Sequence, residues 1–137
     1  MRLFRRKDDG RVTVFFAIIA SGWVTMLGLI IVGGGRVRAY QKADNVASEA
    51  ARAGAQNIDP GLAIPGGAKL IDPAVARAAA LAYLNQAGAT GTVSVAADRQ
   101  HITVIATVTY TNPSGLDFLG GRTWQATGQA TATLLIG

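Results

Sequence analysis

Val12 to Gly35 is an unbroken run of 24 uncharged, mostly apolar positions. At about 1.5 Å rise per helical residue, roughly 20 residues cross a hydrocarbon core about 30 Å thick. The run is therefore long enough to span a bilayer with some tilt. It exceeds the apolar stretch of about 7 to 15 residues typical of a secretory signal, and Arg36, Val37 and Arg38 follow it in place of a small-residue cleavage site. Arg36 to Asn57 is polar and rich in alanine, lacks proline, and predicts that the membrane helix continues outward as a stalk. Within it Ala39, Ala43, Val46 and Ala50 recur at spacings of 4, 3 and 4, a narrow apolar stripe that needs a neighbour to be stable. Glu49 precedes Arg52 by three residues and can pair with it weakly, and it stands with the stripe as a candidate helix-packing residue.

Asn57 to Asp72 contains Pro60, Pro65 and three glycines and reads as a connecting loop. Asp72 suits a helix N-cap, Pro73 the first helical residue and Gly88 the stop, which predicts a second helix with Ala74, Ala78, Leu81 and Leu84 on one face. From Thr92 onward the period becomes two. Val93 and Val95 alternate with polar neighbours, then Ile102, Val104, Ala106, Val108 and Tyr110, then Trp124, Ala126, Gly128, Ala130, Ala132, Leu134 and Ile136. Three strands follow, each with one apolar face, joined by a short turn at Asp98, Arg99 and Gln100 and a longer connection from Asn112 to Arg122. The expected fold class is α+β: one N-terminal transmembrane helix extended into a stalk, then a second helix packed on a small three-stranded antiparallel sheet. The segments are a basic cytoplasmic leader at 1–11, the transmembrane helix at 12–35, the stalk at 36–57 and an exported head at 58–137.

Gly33, Gly34 and Gly35 sit where the apolar run meets the polar one. Each costs a helix about 1 kcal/mol relative to alanine, which predicts a hinge or local melting there. The alternative is that glycine, frequent in membrane helices, causes no bend. Inside the span Ala17, Ser21, Thr25 and Gly28 recur at 4, 4 and 3, a row of small side chains where another helix could approach closely. Trp23 lies mid-span and reads as a packing residue rather than an interfacial anchor.

Charge changes the picture only at the membrane flank. The net charge of +5 is uneven: residues 1–42 carry eight Lys or Arg against Asp8 and Asp9, whereas residues 43–137 carry five against six acids. The basicity therefore flanks a membrane and does not form a phosphate-binding face, so no nucleic-acid partner is expected. Five basic residues precede the span and Arg36, Arg38 and Lys42 follow it, which favours a cytoplasmic N-terminus and an extracytoplasmic head. The expected location is the cytoplasmic (inner) membrane, crossed once.

Catalytic patterns are missing from the sequence. His101 is the only histidine and stands beside Ile102 as a surface strand residue; there is no cysteine, and the acids are scattered. The four serines lie in no nucleophile elbow, and GGGR matches no phosphate loop. Neither an enzyme, a cofactor nor a small-molecule substrate is expected. The apolar loop residues Leu116, Phe118 and Leu119, with Asp117 between them, either contact a partner or tuck under the sheet edge.

The order of leader, apolar helix, alanine-rich segment and small head resembles a type IV pilin-like subunit. KADNVASEAARAGAQNID, Lys42 to Asp59, narrows the resemblance to the TadE-like proteins of the tight-adherence (Flp) pilus assembly system. Asp44, Asn45, Ala47, Glu49, Ala50, Ala51, Arg52 and Ala53 carry that pattern, and TYTNPSGLDFLGG in the tail is also similar. The resemblance implies a pseudopilin involved in assembling a surface pilus or a related secretion fibre, with other pilin-like subunits and a prepilin peptidase as partners. It further implies cleavage between Gly10 and Arg11, which would leave the apolar helix attached. Members usually carry Glu and then an aromatic at the fifth and sixth residues after the cut, and here Phe15 and Phe16 stand there. The aromatic is kept and the carboxylate is lost. The rival reading is a single-pass, membrane-tethered binding module whose head captures an extracytoplasmic ligand.

Overall fold

The computed structural model describes residues 6–118 and 120–134, with side chains from Gly10 onward. Arg2 and Arg5, the side chains of residues 6–9, Leu119 and Ile136 lie outside the described residues. Among the described residues three helices precede three strands: α1 (Arg6–Ala55), α2 (Pro60–Ala63), α3 (Pro73–Gln86), β1 (Thr90–Val95), β2 (His101–Thr111) and β3 (Thr123–Thr133). The chain divides into two compact units, one of Met1–Gly35 with Asn112–Arg122 and one of Arg36–Thr111 with Thr123–Gly137.

Helix α1 runs without interruption through Gly33, Gly34 and Gly35, so the expected hinge is absent. No proline removes a hydrogen bond there, and a helix that leaves an apolar medium gains nothing by exposing its carbonyls before it reaches water. The glycines are not explained by close packing either, since a methyl group at Gly33 or Gly34 would meet nothing within 4 Å. The helix stops at Ala55 because Asn57 caps it. Its side-chain amide donates to the carbonyls of Ala53 (2.8 Å) and Gly54 (3.3 Å), two of the carbonyls that have no partner within the helix.

The loop after α1 is more ordered than its composition predicts. Asp59 caps the short α2, accepting from the Gly61 amide at 3.0 Å, and Ile58 bridges Ile71 in antiparallel fashion. Helix α3 begins and ends as expected. Asp72 accepts from the amides of Ala74 and Val75, and the chain leaves through Gly88 at φ 67°. There Ala89 N donates to Leu84 O and Gly88 N to Asn85 O, the paired bonds of a Schellman stop.

The strands pair antiparallel in the order β1-β2-β3. The register sets Val93 opposite Val104, Ala106 opposite Gly128 and Tyr110 opposite Trp124, so the alternating positions expected to face inward lie on one side of the sheet. Ile102, Val104, Ala106 and Val108 of β2 are buried, with Ala126 of β3 beside them. Strand β1 starts at Thr90, two residues earlier than its alternation suggests, because Gly91 hides the signal. A Cβ at Gly91 would collide with the backbone carbonyl of Ile105 on β2, and it would also crowd Leu84 of α3 at 3.1 Å from Cδ1, so the glycine is required first by its partner strand.

Two corrections concern what covers this face. First, residues 36–57 are not a free stalk. Ala39, Ala43, Val46 and Ala50, joined by Ala47 and Ala51, are buried in the same core as the inward face of the sheet, so the neighbour that the stripe requires is the chain's own head. The head therefore includes the second half of α1 and does not begin at residue 58. Second, α3 buries Ala76, Ala80 and Leu84, while Ala74, Ala78 and Leu81 face outward. The larger Leu81 draws the sequence reading to a face rotated about 100° from Ala80. What selects the alanine row is close approach: a Cβ at Gly54 of α1 would stand 3.0 Å from Ala76 O and 3.5 Å from Ala80 Cβ. Helix–helix contact at that spacing admits no leucine.

Candidate membrane span and interaction surfaces

The first half of α1 is apolar and bare. Phe16 and Trp23 are each 64% exposed, and the large side chains from Val12 to Ile31 are exposed around the whole helix. A helix that is hydrophobic all round belongs in a protein core or a bilayer. Among the described residues nothing forms such a core around 12–27. Among the described residues one helix is long and apolar enough to cross a membrane, compatible with a single-pass membrane protein. Its polar groups suit that medium. Ser21 Oγ donates to Ile18 O and Thr25 Oγ1 to Ser21 O, both at 2.8 Å, so neither hydroxyl needs water.

The predicted span residues divide. Ala17, Ser21 and Thr25 are exposed along one row, whereas Gly28 is buried, and so is Val32 one turn further on, at 7% exposure. Phe15 and Phe16 touch edge to face, with ring centroids 6.2 Å apart. Gly10 and Arg11 are helical and exposed, and nothing lies within 4 Å of where a Gly10 side chain would stand. Of the predicted packing residues in the second half of α1, Ala39, Ala43, Val46 and Ala50 serve the head's own core and present no surface to another subunit. Glu49 alone faces outward, 3.4 Å from Arg52 in an exposed pair worth little in water.

Directly after the apolar run lies a cluster that sequence reading does not assemble. The Arg36 guanidinium sits 4.4 Å from the centre of the Trp124 ring, with Tyr40 and Tyr110 rings 5.6 and 5.4 Å from the same indole. Arg36 and Tyr40 are one helical turn apart on α1, and Tyr110 and Trp124 are paired across β2 and β3. The only available signal was an arginine and a tyrosine beside the span's end, with two aromatics flanking the long β2–β3 connection. Tyr110 Oη is buried without a hydrogen-bond partner.

A second polar centre is structural. Arg99, at φ 56° in the β1–β2 turn, donates from Nη2 to Asp59 Oδ2 at 2.8 Å and from Nε to Ile71 O at 2.9 Å, fastening the turn to the loop before α3. That hydrogen bond, chiefly, holds the Asp59 carboxyl below its usual value. Asp98 is held low as well, first by the Gln100 amide and then by His101, whose Nδ1 lies 2.8 Å from Asp98 Oδ2. A carboxylate whose pKa is lower folded than unfolded adds stability that is complete above the unfolded value, about 3.9, and is lost as pH falls through the folded one. Asp59→Asn is therefore expected to destabilise the head at pH 7 and to narrow its gap to the parent as pH drops below about 4. Thermal melts of both chains between pH 2 and 7 check this. A gap that stays constant with pH would remove the Asp59 charge from the account.

An open groove of about 710 Å³ runs between the last turns of α1 and the end of β3, lined by Ser48, Arg52, Gln56 and residues 130–134. Among the described residues no three His, Cys, Asp or Glu side chains gather as a metal site would require. No family model matches the chain, and no curated protein or solved structure matches it significantly.

Proposed function

We propose that the chain is a membrane-anchored structural subunit of the TadE-like, pseudopilin kind, acting in the assembly of a Flp/Tad-type pilus or related secretion fibre. The observation that carries this reading is the division of labour along α1. One face of its second half is consumed by the head's core, while its first half is apolar on every side and offers a row of small residues at Ala17, Ser21 and Thr25. Such a helix has two solvents available, lipid and the apolar helices of identical or related subunits. Small side chains let the second replace the first without loss of contact. The charge bias supports a cytoplasmic N-terminus, and the exposed Gly10–Arg11 bond supports access by a prepilin peptidase.

The tethered binding module remains the second reading, and Phe15 favours it. A carboxylate at that position would be costly in the apolar region and would be relieved by pairing with a neighbour's N-terminal amine. Without it the span needs no neighbour.

Cysteine-free sequence makes the test clean. With single cysteines placed in turn at Ser21 and Thr25, and at the outward-facing Thr109 as control, oxidation in membranes is expected to give dimers through the span sites only. Phe15→Glu is expected to increase incorporation into sheared fibres. Monomers at every site, together with a ligand retained by the head, would favour the tethered module.

A further inference from the structure

We propose that the β2–β3 loop, residues 112–122, inserts the apolar side chains of Leu116 and Phe118 into the lipid interface beside the span. The proposal rests on 12–35 being a membrane span and is independent of assembly.

Three observations converge on the lipid surface. Residues 112–122 belong to one compact unit with the span, and within that span Gly28 and Val32 are buried while most positions around them are exposed. Val32 lies three residues, about 4.5 Å, from the end of the apolar run at Gly35. The loop thus shares a unit with the span, and the span's buried positions lie within its last two turns. On either side of the loop, Tyr110 and Trp124 meet edge to face, and the indole holds Arg36, the first residue beyond the run. Tryptophan, tyrosine and arginine are the side chains that the headgroup region accepts.

The second observation is the tip itself. Phe118 is 80% exposed and Leu116 is exposed beside it, an arrangement that water disfavours. The third is the loop's polar economy. Asn112 N donates to Arg122 O, and its side-chain amide donates to the carbonyls of Leu116 and Gly121. Its Oδ1 accepts from Ser114 N and Oγ, Ser114 Oγ accepts from Leu116 N, and Gly121 N donates to Asp117 O. Backbone groups that bond to one another can leave water at low cost. Asp117 sets the depth, because an exposed carboxylate stays among headgroups while Leu116 and Phe118 reach inward.

The test uses the full chain in liposomes with one spin-labelled cysteine at Phe118, Ile18 or Ser94. Collisions with oxygen, which concentrates in lipid, are compared with those of a water-soluble nickel chelate. The label at 18 should report the hydrocarbon core and that at 94 water, with the label at 118 between them and favouring oxygen several-fold over 94. A label at 118 that matches 94 while 18 reports lipid would overturn the proposal and leave the span intact. Protection of 118 from both reagents would overturn it in favour of cover by a second copy. If 18 also matches 94, the span reading fails and the proposal fails with it.

Discussion

Ala50→Asp is expected to cost the head about 3 to 5 kcal/mol, the usual penalty of a buried charge without a partner. Ala50 is 0% exposed and lies on the α1 face that closes the core over the sheet. A carboxylate there must either stay ionised in an apolar site or take up a proton, and both erode a stability that for small domains totals about 5 to 15 kcal/mol. The exposed Gln41→Asp, on the same helix, should cost little. Near-ultraviolet circular dichroism and thermal melts of the full chain in detergent separate the two. Had residues 36–57 been a stalk that packs only on other subunits, Ala50→Asp would leave the melt unchanged and weaken association alone.

Gly128→Val is expected to be nearly as damaging, by a steric route. A Cβ at this β3 position would collide with the backbone of Ala43 and Asp44, so α1 must move off the sheet. Overpacking of a core commonly costs about 1 to 3 kcal/mol, and more where the obstacle is backbone. Gly128→Ala should already show part of the loss, and Gly33→Ala should show none, since open space surrounds it. Equal melting temperatures for the parent and Gly128→Val would contradict the packing of α1 on the sheet.

Gly128 also shows where sequence reading stops. The period-two alternation from Ile102 to Tyr110 and from Trp124 to Ala132 was legible because one face of each strand is buried and a shift by one residue would expose it. The caps at Asp72 and Gly88 were legible because each acts within a few residues. Alanine is ambiguous in a way that leucine is not. The stripe at Ala39, Ala43, Val46 and Ala50 announced that something packs closely, but not whether that partner was another subunit or the sheet more than fifty residues ahead. Only the tertiary fold brings Gly128 against Ala43 and Gly54 against Ala76. The same applies to Arg36 and Trp124, and to Arg99 and Asp59, pairs whose members are distant in sequence and individually ordinary. The row at Ala17, Ser21 and Thr25 keeps its candidacy because nothing in the chain covers it among the described residues.

The pseudopilin reading turns on whether the leader is removed on the cytoplasmic side of an otherwise intact span. Intact mass of the full chain after co-expression with a prepilin peptidase tests this most directly. The expected product begins at Arg11 and retains the whole apolar helix. Gly10→Leu should abolish it, because a bulky side chain cannot enter a site that accepts glycine through close backbone approach. Phe15→Glu should leave it unchanged. Recovery of only the chain beginning at Met1, with the peptidase active on a control pilin, would contradict the pseudopilin reading and leave a permanently tethered head.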